Sequence, residues 1–218
     1  MNKIMIDLLL KIHFYYPIGL PFATKEYSGD KEISQIVAKK IDQITNNETT
    51  EWACLLNDLR LHNKTVEVDD LSYFQFPSYT LEIPLTLNTF DNLTITRNII
   101  VCISLLTEHY TIFFEDRFIY RQMPNDLSRY KGAFSVVYFA SNTNQSYIKL
   151  FEIIKRDLKK HFSSFTFVPH SLLMNTIIEG GIPYKKFDDY LDDRARKFSM
   201  YEFLFNSNIE LSRITVLE

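Results

Sequence analysis

From Lys3 to Tyr16 the chain takes alternate apolar positions. Ile4, Ile6, Leu8, Leu10, Ile12, Phe14 and Tyr16 form one set; Lys3, Met5, Asp7, Leu9, Lys11, His13 and Tyr15 form the other. A period of two belongs to an extended chain with one face in a core and the other nearer solvent. The pattern predicts an N-terminal strand over residues 3–16. Asp7 and Lys11 interrupt the apolar run Leu8-Leu9-Leu10, so the segment reads as structural rather than as a secretion leader.

The period then changes. Ile33, Ile36, Val37, Ile41 and Ile44 recur at helical spacing and predict a helix from Asp30 to Ile44. Trp52, Leu55, Leu56 and Leu59 predict a second helix, starting near Thr49 or Thr50 and ending near Asn63. Val66 with Val68, and Tyr73 to Phe76, predict two short strands. Leu81, Ile83, Leu85 and Leu87 alternate with polar residues and with Pro84. Proline donates no hydrogen bond, so this strand is expected at an edge or with a bulge. Residues 93–106 predict a strand buried on both faces towards its end. Residues 109–120 predict its return, and 133–140 a further strand.

Helical spacing resumes with Tyr147, Leu150, Phe151, Ile154, Leu158 and Phe162. Phe165 to Val168 predicts a short strand, and residues 171–179 a helix stopped by Gly180-Gly181. A last long helix is expected from Pro183, with Phe187, Tyr190, Leu191, Phe198, Tyr201 and Phe205 on one face. Residues 209–217 predict a closing strand. The expected fold is α+β in one domain, residues 1–218. A central, mainly antiparallel meander over residues 64–140 is joined by the N-terminal strand, with helices before and after.

Composition narrows the function classes. Five glycines in 218 residues, with no G-x-G-x-x-G and no P-loop, argue against nucleotide loops, which need glycine for close backbone approach to phosphate. A net charge of −3 and a pI near 6.0 argue against nucleic acid as a partner. No run reaches the ~20 apolar residues of a spanning helix, so no membrane partner is expected. Two cysteines, Cys54 and Cys102, in apolar patterns suit a reducing, cytoplasmic location.

Candidate chemistry is sparse. His13, His62, His109, His161 and His170 include no H-x-x-x-H pair, and only His161 and His170 flank one short strand. Glu108, Glu115, Asp116 and Arg117 gather near the central hairpin without the Asp and Glu-x-Lys spacing of metal nucleases. Ser104 and Ser135 lack a small-residue elbow. No catalytic residue, metal ligand or cofactor is expected.

What remains are charged helical faces. Asp188, Asp189, Asp192 and Asp193 make i,i+4 acidic pairs. Lys155, Arg156, Lys159 and Lys160 lie opposite the apolar stripe of their helix. Both are candidate partner-binding faces, because complementary charge steers association. Elimination therefore leads to a binding protein for another protein. Its concrete form, a neutralising module like an immunity protein, is a class inference from composition. Two alternatives stay open: a metal-assisted or acid–base hydrolase whose site assembles only in the fold, and a structural component of a viral or secretion assembly.

Overall fold

The structure, a computed structural model, describes residues 3–19, 30–62, 67–91, 93–120, 132–138, 145–184, 197–206 and 214–217. Its centre is the meander that the period of two foretells. Strands β2 (Ser78–Phe90), β3 (Leu93–Ser104), β4 (His109–Tyr120) and β5 (Gly132–Tyr138) pair antiparallel in sequence order. The short β1 (Asp69–Asp70) pairs with Glu82 and Leu81 of β2. β6 (Thr166–Phe167) joins β4 in parallel, and β9 (Ile214–Leu217) joins β5 in parallel. The register of β2 on β3 slips between Pro84 and Thr86. The proline thus sits at a bulge, where its missing N–H costs least.

Alternation along the strands feeds two cores. Leu81, Ile83, Ile99, Val101, Ile103, Ile112 and Phe114 meet Trp52, Leu55 and Leu59 of α3 (Glu51–His62) and Phe151, Ile154 and Leu158 of α4 (Gln145–His161). On the other face Ile100, Cys102 and Phe113 meet α1 (Lys3–Tyr15), α2 (Asp30–Thr45), α5 (His170–Asn175) and α6 (Met200–Leu204). The inner half of β3 is buried on both faces, as expected of a near-continuous apolar run. The architecture is α+β, a mainly antiparallel sheet between two helical layers.

The N-terminal segment is a helix, not a strand. Leu8, Ile12 and Tyr16 are buried, with Ile4, Met5, Leu9 and Tyr15 packed around them. These positions recur at i, i+3 and i+4, so a helix buries apolar residues from both alternate sets, which a one-sided strand cannot do. The Tyr16 hydroxyl donates to the Phe203 carbonyl at 2.7 Å and ties the helix end to α6. Ile6, Leu10 and Phe14 are left as an exposed stripe.

Other expectations are revised. Val66 lies outside the described residues, and the adjacent strand is Asp69–Asp70. Tyr73 to Phe76 is a turn rather than a strand. The helix expected over 171–179 ends at Asn175, and Ile177–Glu179 forms β7, paired antiparallel with β8 (Lys197–Ser199). The last long helix is replaced over 197–204 by β8 and the short α6. Ser199 caps α6: its hydroxyl accepts from the Glu202 N–H at 3.3 Å, and the Glu202 carboxylate accepts from the Ser199 N–H at 2.7 Å. A capping box starts a helix rather than continuing one. Residues 185–196 lie outside the described set.

Candidate functional site

Lys40 organises the most distinctive surface. It lies three residues after Val37 and four after Ile36, on the apolar stripe of α2, so the helix carries its side chain inwards. Only 1% of Lys40 is exposed. Its ammonium donates to the carbonyls of Phe74 and Phe76, each at 2.8 Å, and of Ser78 at 3.1 Å. Burial pulls its pKa down to about 8, with the Asp70 carboxylate pushing the other way. Alternate carbonyls of an extended strand stand about 6.6–6.8 Å apart, too far for one ammonium to collect three of them. Residues 73–76 therefore curl round Lys40 instead of forming a strand.

Further bonds hold the loop between β1 and β2. The Asp70 carboxylate accepts from the Ser72 N–H at 2.9 Å. The Thr80 N–H donates to the Ser72 hydroxyl at 2.9 Å, and the Leu71 N–H to the Thr80 carbonyl at 2.9 Å. Phe76 is buried beneath the loop. Tyr73 and Phe74 point outwards, 58% and 43% exposed, with ring centroids 4.4 Å apart. Two large aromatic rings are thus presented on a backbone with few conformations to lose.

A cleft of about 360 Å³ opens beside this loop, between the α2–α3 turn, α3 and the start of β2. Trp52 and Tyr79 stack along it, centroids 4.9 Å apart and 12° from parallel. The Trp52 Nε1–H donates to Asp70 Oδ2 at 3.2 Å. Asp70 therefore links the cleft to the loop, one oxygen to each. Burial raises the Tyr79 phenol above its ordinary pKa, and the carboxylates of Glu51, Asp70 and Glu48 add to the effect. The cleft is acidic and aromatic.

The basic face of α4 is engaged within the chain. Lys160 Nζ and His161 Nε2 lie 2.6 and 2.7 Å from Asp58 Oδ2 on α3. Hydrogen bonds from Lys160 and then His161 hold the Asp58 carboxyl at about 2. Arg156 donates to Asp157 at 3.1 Å, and His62 Nδ1 lies 2.9 Å from the other oxygen of Asp157. Lys155 pairs with Glu152 at 3.6 Å and lies over the Phe151 and Phe167 rings. Lys159 bonds to the Ser163 carbonyl. Part of this charge fastens α4 to α3. Asp188, Asp189, Asp192 and Asp193 lie outside the described residues.

The remaining candidates disperse. Arg117 pairs with Glu115 at 2.9 Å and Glu82 at 3.0 Å. Arg97 takes Asp116 in a two-pronged pair with both contacts at 2.7 Å. Alternation puts Glu115 and Asp116 on opposite faces of β4, so the acidic group near the hairpin is two separate ion-paired sets. His161 meets Asp58, whereas His170 is buried against Phe113 and Tyr201. Burial alone brings His170 to about 3, which keeps it neutral. The Ser104 hydroxyl donates to the Leu204 carbonyl at 2.9 Å, a structural use. Cys54 and Cys102 are free thiols, and burial pushes Cys102 up to about 11. Among the described residues no group of three or more His, Cys, Asp or Glu is placed to hold a metal ion. No helix among them is long and apolar enough to cross a membrane.

The sequence signals for the loop and the cleft were partial. A lysine on an apolar helical stripe marks a buried cation, but its acceptors are backbone carbonyls, which carry no sequence identity. Trp52 reads as core, and nothing in its spacing points to Asp70 or Tyr79. No protein-family model, no curated protein and no solved structure matches this chain.

Proposed function

We propose that the chain is a protein-binding module that neutralises a partner protein, as immunity proteins do, and that it grips this partner through the Tyr73–Phe74 loop. The observation that carries the reading is the fastening of an exposed aromatic pair by a buried lysine. Binding energy at protein interfaces concentrates in a few aromatic and arginine anchors. Anchors on a backbone already ordered lose less entropy when they bind. Folding alone gives no reason to hold Tyr73 and Phe74 towards water, because neither is in a buried core. The acidic cleft beside them adds charge that steers a basic partner. Two free thiols suit a reducing compartment such as the cytoplasm.

Affinity capture from native-host lysate, run with wild type and the Tyr73→Ser/Phe74→Ser variant side by side, tests this. Wild type is expected to retain one protein in near-stoichiometric amount, and the variant to lose it while melting within about 2 °C of wild type, since exposed positions contribute little to stability. Equal retention by the two proteins would refute the reading.

A further inference from the structure

We infer that the cleft is a socket for an arginine side chain carried by the bound partner. The inference rests on the protein-binding reading and goes beyond it, by naming the chemistry that the cleft accepts.

The first observation is the cleft's unmet bonding capacity. Tyr79 is 8% exposed and lines the cleft, yet its hydroxyl makes no hydrogen bond with any described residue. The hydroxyl is not sealed from solvent, so it keeps its donor and acceptor capacity open to a group entering the cleft. Asp70 Oδ1 and Oδ2 each accept one bond, from Ser72 and Trp52. Those bonds orient the carboxylate and leave further lone pairs free.

The second observation is charge. Among the described residues neither Asp70 nor Glu48 pairs with a cation within 4 Å. Arg60, at the cleft's edge, is turned to the Val68 carbonyl at 3.4 Å. Lys40 spends its three donors on the loop carbonyls. A cation entering the cleft would therefore meet two carboxylates that no described cation contacts directly, with Lys40 acting on Asp70 only at longer range.

The third observation is the spread of acceptors. The Trp52 and Tyr79 rings are stacked on each other, so no slot opens between them, and the cleft's polar atoms must do the selecting. A guanidinium is planar and weakly hydrated, and carries five donors in a fixed fork. An ammonium is compact and strongly hydrated. Acceptors spread around the cleft, from Glu48, Asp70 and Thr50, suit a fork of donors better than a single point charge.

Trp52 is the only tryptophan in the chain, so its fluorescence reports directly on the cleft. The full chain is titrated with N-acetyl-arginine amide, and in parallel with the lysine and glutamate analogues at matched ionic strength. A saturable change with the arginine compound is expected, weaker by about threefold or more with lysine and absent with glutamate. Asp70→Asn should weaken arginine binding by roughly tenfold or more, and Glu48→Gln by about threefold. The Glu48 side chain is exposed and makes no hydrogen bond or ion pair with a described residue, so Glu48→Gln keeps the test valid if Asp70→Asn does not fold. No saturable change in wild type, equal binding by wild type and Glu48→Gln, or equal binding of the glutamate analogue would each overturn the socket. A failed titration combined with Tyr73/Phe74-dependent capture removes the socket and leaves the protein-binding reading. A successful titration without any captured partner does the reverse.

Discussion

Lys40→Met lowers the stability of the protein by about 3 kcal/mol, read by urea unfolding. Methionine fills most of the space but leaves the carbonyls of Phe74, Phe76 and Ser78 without their donor. The loop then loosens, and the exposed aromatic pair loses its fixed backbone. The same lysine sets a pH dependence. In the unfolded chain it titrates near 10.5, and burial brings it to about 8 in the fold. Between those values the unfolded state binds more protons than the folded state, so the unfolding free energy contributed by Lys40 rises with pH. Tyr79, Tyr201 and Cys102 are shifted upwards in the fold, and their contribution falls with rising pH. They are common to wild type and variant, so they cancel in the difference. The stability gap between wild type and Lys40→Met should widen between about pH 8 and 10.5, by at most about 3 kcal/mol. A gap that stays constant over that range contradicts the buried ammonium.

The second large effect separates helix from strand at the N-terminus. Leu8 is 0% exposed and Leu10 is 65% exposed. Leu8→Ala should cost about 3 kcal/mol, from lost burial and the cavity left behind. Leu10→Ala should stay within about 0.5 kcal/mol of wild type. A strand would place both residues, two apart, on the same face and give them similar costs. Thermal or urea unfolding of the two variants decides between the geometries, and equal losses would contradict α1.

These two sites also mark where the sequence was readable. Period two located β2 to β5 to within a few residues, and the near-continuous apolar runs marked the inner halves of β3 and β4, which have both faces in a core. Pro84 announced the bulge through its missing N–H. Helical stripes located α2, α3 and α4, since Ile33, Trp52 and Tyr147 recur with apolar partners at i+3 and i+4. The N-terminal segment misled because its apolar residues fit both periods. Leu8 and Leu10 look alike in the sequence, and only packing against α2 and α6 tells them apart. Ser199-Met200-Tyr201-Glu202 carried a legible capping signal, which the apolar stripe from Phe187 to Phe205 masked.

The candidate site was less legible. Tyr73 and Phe74 resemble strand residues until Lys40 is seen to gather the carbonyls around them. The basic end of α4 gives no sign of its pairing because Asp58, the partner of Lys160 and His161, lies on α3, about a hundred residues away along the chain. Hydrogen bonds to backbone and long-range ion pairs leave no periodic trace, so the loop and the cleft emerge only from the fold.

The most direct test of where the partner binds is hydrogen–deuterium exchange on the captured complex, compared with the free protein. Amides of residues 70–79 and of the α2–α3 turn around Asn47 to Thr50 are expected to gain protection on binding, with α4 unchanged. Protection confined to the Lys155–Lys160 face of α4, with residues 70–79 exchanging as in the free protein, would contradict the aromatic loop and its acidic cleft as the binding surface.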